Sequence, residues 1–140
     1  MSRYLIDTNI LSEPLKPKPN DRVIALMKQH SEQIAISTIT WHEILFGFYR
    51  LPSSRRKETI ERYIRSVKAT FPILPYTIES ADWQALERAR LSKIGQSPSF
   101  PDSQIAAIAA VNDLILVTNN VSDYQNFQGV LIENWFTVSQ

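Results

Sequence analysis

Short apolar runs that stop abruptly on a polar or acidic residue recur along this chain, separated by longer segments of helical spacing. Tyr4-Leu5-Ile6 stops at Asp7, Ile34-Ala35-Ile36 at Ser37, and Leu114-Ile115-Leu116-Val117 at Thr118. Runs this short and this continuous suit strands buried on both faces. Strands alternating with helices give a parallel sheet covered on both sides, so the pattern predicts an α/β three-layer fold. In such a sheet the ligand crevice lies beyond the C-terminal strand ends, where the strand order reverses. Asp7, Ser37 and Thr118 fall at those ends.

The intervening segments read as helices. Asn20 or Asp21 can cap one that carries Val23, Ile24 and Met27. After Ser37 to Thr40 a second has the stripe Trp41, Ile44, Leu45 and Phe48. Pro52-Ser53-Ser54 ends it and starts a third, Arg55 to Thr70, which makes a helical hairpin of about residues 41–70. Ile73-Leu74 between Pro72 and Pro75 is a minimal strand, tolerable at a sheet edge. Ile78 to Ile94 is a further helix, with Gly95 suited to its C-terminal end. Residues 96–101 then form a loop before a small-residue helix, Asp102 to Ala110. A short helical segment near Tyr124 to Phe127 and a last strand, Val130 to Ile132, complete the pattern.

At 140 residues the chain has the size of one domain, 1–140, with enough length for a real core. It contains no cysteine, which removes thiolate nucleophiles and cysteine-based zinc sites and fits a reducing compartment. No apolar run approaches the roughly 20 residues needed to span a bilayer, and Asp7 interrupts any leader-like core. The expectation is a soluble, cytoplasmic protein. A formal net charge of +1 gives no whole-protein field for nucleic acid, so such binding needs a local patch or a metal.

Four acids, Asp7, Glu43, Asp102 and Asp123, lie just after predicted strands or in the opening turns of helices, on one predicted edge. Crowded carboxylates repel one another unless a cation or protons relieve them. Magnesium or manganese, which take oxygen ligands, would suit such a cluster. A metal there would serve phosphodiester hydrolysis with water as nucleophile. Each acid also has a structural reading. Asp7 can cap the next short helix, Thr40-Trp41-His42-Glu43 has the form of a capping box, and Pro101-Asp102 is ordinary helix-start chemistry. Asp123, among Asn119, Asn120 and Ser122, has turn chemistry.

Taken together, Leu5-Ile6-Asp7-Thr8-Asn9-Ile10-Leu11, Ile36-Ser37-Thr38-Ile39-Thr40-Trp41-His42-Glu43-Ile44, Pro101-Asp102-Ser103-Gln104-Ile105-Ala106-Ala107-Ile108-Ala109 and Leu116-Val117-Thr118-Asn119-Asn120-Val121-Ser122-Asp123-Tyr124 carry a resemblance. In order and spacing they resemble the PIN-domain family, most closely the VapC-type toxins of bacterial type II toxin-antitoxin pairs. The resemblance implies a five-stranded parallel sheet and a magnesium- or manganese-dependent endoribonuclease. It implies Asp7, Glu43 and Asp102 as the core acids and Asp123 as a more variable fourth, with metal on Asp7, Asp102 and Asp123. Thr118 matches a polar position beside the site, and Asn9 one that supports Asp7. Implied partners are RNA, a cognate antitoxin and a second copy of the chain, assembling with the antitoxin as a heterotetramer or larger.

Two features lie outside that set. Arg50, Arg55, Arg56, Lys57, Arg62, Arg65 and Lys68 make the hairpin locally basic, either a phosphate-tracking surface or a solvated face of paired charges. Trp41, Phe46, Phe48 and Tyr49 are too many aromatics for one buried stripe, so some are expected at an interface. Rival readings are a PIN-like RNA-binding or RNA-processing module outside a toxin pair and a receiver-type phosphoacceptor domain. The receiver reading lacks an acidic pair after the first strand and a lysine closing a later one.

Overall fold

The computed structural model describes residues 1–137. Five strands, β1 (Tyr4–Ile6), β2 (Ile34–Ser37), β3 (Ile73–Leu74), β4 (Ile115–Val117) and β5 (Ile132–Glu133), form a sheet in the order β3-β2-β1-β4-β5. Every pairing is parallel. The chain moves outward from β1 through β2 to β3 and then returns to the far side of β1 as β4. The order therefore reverses between β1 and β4, where a parallel sheet opens a crevice at its C-terminal ends.

Side chains alternate across the sheet and sort the helices into two layers. Tyr4, Ile6, Ile34, Ile36 and Val117 face α1 (Thr8–Ser12), α2 (Asp21–Gln29), α3 (Thr38–Tyr49) and α4 (Arg55–Thr70). Leu5, Ala35 and Leu116 face α5 (Ile78–Lys93) and α6 (Phe100–Val111). Ala106, Ala107 and Ala109 are fully buried in α6, and their small side chains let it seat closely on the sheet. The predicted three-layer α/β architecture and five-stranded parallel sheet are present. Among the described residues, no helix is long and apolar enough to cross a membrane.

Several boundaries differ from the sequence expectation, each for a local reason. The last strand is Ile132–Glu133 rather than Val130–Ile132, because Leu116 and Thr118 donate their N–H groups to the carbonyls of Leu131 and Glu133. Leu131 itself is exposed. The short helical turn lies at Val121–Asp123, upstream of the expected 124–127, closed by the N–H of Asp123 on Asn120 and of Tyr124 on Val121. Tyr124 and Phe127 are instead core residues beneath that turn. Helix α6 begins at Phe100, two residues early, because Ser99 and not a later residue caps it.

Gly95 ends α5 as expected. Its φ of +77° is the left-handed conformation, and the N–H groups of Gly95 and Gln96 close back on Ser92 and Leu91. The aromatics of the hairpin divide. Trp41 and Phe48 pack against the core, while Phe46 and Tyr49 are exposed. The hairpin cations are divided too: Arg56 and Lys57 donate to the carbonyls of Leu15 and Leu51, and Arg65 pairs with Glu61.

Candidate active site

Asp7 follows β1 directly and is the N-cap of α1, its Oδ1 accepting the N–H of Ile10 at 3.0 Å. The capping role expected of it is therefore real. It occupies only one oxygen, however, since Oδ2 accepts the Thr118 hydroxyl at 2.5 Å across the β1/β4 switch point. Thr118 is fully buried, and its Oγ1 also accepts the N–H of Asn120 at 3.0 Å. The two strand ends are thus stitched together by the side chains that each strand delivers.

Glu43 does not form a capping box. Ser37 caps α3, accepting the N–H of Thr40 at 3.0 Å, so the helix starts two residues before Thr40 and Glu43 lies beyond its first turn. Its carboxylate faces the same cavity as Asp7. Asp102 sits in the first turn of α6, where Ser99 Oγ accepts its backbone N–H at 3.1 Å. Its side chain points away from that cap, and Oδ1 accepts the Tyr124 hydroxyl at 3.0 Å. A buried bridge steadies this turn: Gln84 of α5 donates to Ser103 Oγ at 2.8 Å and is itself hydrogen-bonded by the Tyr76 hydroxyl.

Asp7, Glu43 and Asp102, joined by Asn9, Asn120 and Tyr124, line one cavity of about 100 Å³. Asp123 is exposed and lines the adjoining cavity, which shares Asp102 with the first. Asn9 contributes a backbone N–H to Asp7, and its own side chain is on the exposed rim. His42 is exposed, stacked on Phe46, and lines a further cavity together with Glu43 and Asp102. Tyr124 is the functional candidate that the sequence reading missed. An aromatic in a polar turn signals only a buried anchor, and its hydroxyl finds Asp102 only once the chain is folded.

The electrostatics follow from this crowding. Burial pushes the Asp7 carboxyl above the usual range against the hydrogen bonds from Thr118 and the α1 backbone, and the Asp102 charge adds to the rise. Burial also raises Glu43, with the charges of Asp102 and Asp7 adding to it and the nearby Thr8 hydroxyl opposing. The Tyr124 phenol is driven far upward, first by burial and then by the charges of Asp102 and Asp7, so it remains a neutral donor. Oxygen donors under mutual repulsion are what a hard divalent cation relieves. Among the described residues no three acids close into a ready-made cage. The open arrangement fits a magnesium-like ion that keeps part of its water shell.

Replacing Tyr124 by phenylalanine leaves the ring in the core and removes one hydrogen bond to Asp102. Affinity of the acid cluster for added Mn²⁺ is expected to fall by about 10-fold or more, with unfolding free energy changed by about 1 kcal/mol or less. An unchanged Mn²⁺ titration would show that the hydroxyl is only a packing feature.

Comparison with known proteins agrees with the fold. The family model described as PIN domain matches residues 4–125. The chain is 32% identical to the Toxin FitB of Neisseria gonorrhoeae over 86% of this chain and 89% of that one. It is 27% identical to the tRNA(fMet)-specific endonuclease VapC of Salmonella typhimurium over 96% of this chain and 99% of the relative. Among solved structures, that of FitAcB from Neisseria gonorrhoeae superposes with a TM-score of 0.89 at 30% identity, covering 96% and 99% of the two chains. With the acid-bearing segments in place around the β1/β4 crevice and a family match running from β1 to Gln125, this chain belongs to the PIN-domain family.

Proposed function

We propose that this protein is a magnesium- or manganese-dependent endoribonuclease of the toxin type, held in check by a cognate antitoxin. The observation that carries the reading is the convergence of Asp7, Glu43 and Asp102, from three separate elements, on one cavity at the switch point. Names of similar proteins support the class: one is a tRNA endonuclease and another a toxin.

In this reading Asp7 and Asp102 would hold the metal with Glu43 beside it, and Asp123 approaches from the neighbouring cavity on the far side of Asp102. A bound divalent ion supplies Lewis-acid polarisation of the phosphate and a more acidic water at neutral pH. The chain's own groups prepare the site for it. Thr118 and the Ile10 N–H fix both oxygens of Asp7, and Tyr124 fixes one oxygen of Asp102, so the carboxylates are oriented before substrate arrives. Glu43, with its raised affinity for a proton, is placed to take one from the attacking water. Water then adds to phosphorus, the bond to the 3′-oxygen breaks, and that oxygen takes up a proton. The products carry a 5′-phosphate and a 3′-hydroxyl. Exposed Phe46 and Tyr49 support an interface on α3, proposed for a second copy of the chain.

End-group analysis of cleaved RNA tests the mechanism. A 5′-phosphate and 3′-hydroxyl are expected, whereas a 2′,3′-cyclic phosphate would mean attack by the RNA's own 2′-hydroxyl and would overturn it. Co-expression with a cognate antitoxin is expected to restore the growth that the protein alone arrests.

A further inference from the structure

The second cavity, on the far side of Asp102, carries Asp123 on its lining but also residues that the acidic centre does not explain. It encloses about 160 Å³, the scale of a cavity that takes up a benzene ring, roughly 150 Å³. Leu91 and Phe127, both buried, and Pro98 make its floor apolar, while Ser97, Ser122 and the acids Asp102 and Asp123 make the rest of its lining polar. Its edge carries an amide pair, Gln96 and Asn126, in which Asn126 Nδ2 donates to Gln96 Oε1 at 3.2 Å. That contact leaves the nitrogen of Gln96 as a donor and the oxygen of Asn126 as an acceptor at the cavity edge. A ring-sized cavity with an apolar floor and a polar rim of amides and hydroxyls suits a nucleobase, which offers a π-face and an edge of alternating donors and acceptors.

The slot is also held rigid from behind. Gln96 follows the left-handed Gly95 and its N–H is fixed on the carbonyl of Leu91 at 2.8 Å. On the other side Arg90 donates to the carbonyl of Asn126 at 2.7 Å, and Glu87 accepts the N–H of Gln128 at 3.0 Å. Arg90 and Glu87 are themselves joined by two hydrogen bonds of 2.8 and 2.9 Å. An ion pair thus clamps the backbone on both sides of Phe127, so the walls stand in place before a ligand enters and little ordering is left to oppose binding. Because the slot shares Asp102 with the acidic cavity, a ring seated in it lies beside the acids.

We propose that this slot binds the nucleobase of the ribonucleotide flanking the cleaved phosphate, with Gln96 and Asn126 reading its edge. The proposal rests on the ribonuclease reading for its substrate and adds a determinant of sequence preference. None of these residues belongs to the acidic set, and both amides are exposed, so Gln96→Ala and Asn126→Ala leave the core and the carboxylates untouched.

The test is cleavage of single-stranded RNA libraries randomised at the two positions flanking a fixed site. The wild type is expected to favour one base at one flank by about tenfold, and each alanine variant to bring that preference to within about twofold while still cutting RNA. A preference that persists in both variants, or a wild type indifferent at both flanks, overturns the proposal. Nucleoside 5′-monophosphates titrated into the chelator-treated protein give a second readout, in which the side-chain amide signals of Gln96 and Asn126 are expected to shift in two-dimensional ¹⁵N spectra. If no RNA is cut, the ribonuclease reading fails and the slot is judged on this titration alone, where the absence of any shift overturns it.

Discussion

Asp7→Asn is expected to lower RNA cleavage by about 10²- to 10³-fold while leaving the protein folded. The reason lies in the two jobs that Asp7 performs. As N-cap of α1 it needs only a side-chain oxygen for the Ile10 N–H, and asparagine supplies one nearly as well. As a member of the acidic centre it needs its charge, and asparagine removes that. Its second oxygen receives the Thr118 hydroxyl; asparagine places an NH2 there, which can donate to the Thr118 oxygen but cannot accept from it. Asp7→Ala separates the two roles, because it also forfeits the cap and is expected to cost about 0.5–2 kcal/mol of stability. Cleavage rates set against chemical denaturation for both variants check this. Wild-type activity in a well-folded Asp7→Asn protein would remove Asp7 from the chemistry.

The second large effect concerns stability in the absence of metal. Asp7 and Glu43 hold their protons more tightly in the folded state than in the unfolded chain. The stability associated with these two groups is therefore fully present below the ordinary carboxylate pKa values of 3.8 and 4.5 and is lost as pH rises through their higher folded values. Glu13 and Glu87 act with the opposite sign. Lys16 and Arg90 respectively hold their carboxyls below the usual range, so their contribution is present above the ordinary value and fades as pH falls through the lowered one. The difference between wild type and an Asp7→Asn, Glu43→Gln double variant isolates the first pair. In chelator, raising the pH from acid to neutral is expected to destabilise wild type relative to that variant. Magnesium or manganese at a hundredfold excess over its Kd is expected to return about 2.7 kcal/mol to wild type alone, a rise of roughly 5–10 °C in melting temperature. Thermal scans across pH, with and without the ion, make the comparison. Equal melting shifts in the two proteins would place any bound metal elsewhere.

Much of the fold is written in apolar spacing, because buried parallel strands and helices leave distinct periods. Tyr4–Ile6 and Arg55–Thr70 have the boundaries that spacing and caps indicate, and Ile34–Ser37 runs one residue past its apolar stretch. The edges of elements are less legible where hydrogen bonds decide them. Val130 and Leu131 look more strand-like than Glu133, yet the carbonyls that β4 selects set the register of β5 two residues later. Ser37, and not Thr40, caps α3 because the chain leaves β2 in an extended conformation at that residue, with ψ of 159°. A local capping-box motif cannot reveal this.

The acids of the site were readable as strand-end and helix-start residues, but their partition was not. Sequence order places Asp123 beside Thr118, whereas the tight turn at Val121–Asp123 directs it to the second cavity and turns Tyr124 inward onto Asp102. Such an exchange between neighbouring residues depends on one helical turn. The clamp of Glu87 and Arg90 on residues 126–128 is likewise invisible before folding, since its partners are backbone atoms some forty residues further on.

The central claim is that Asp7 and Asp102, with Glu43 beside them, hold a divalent ion. Calorimetric titration of Mn²⁺ into chelator-treated protein tests it most directly. Saturable uptake by wild type, lost or weakened by about 10-fold or more in each of Asp7→Asn, Glu43→Gln and Asp102→Asn, is the result expected. Uptake of equal affinity and stoichiometry in wild type and all three variants would contradict it.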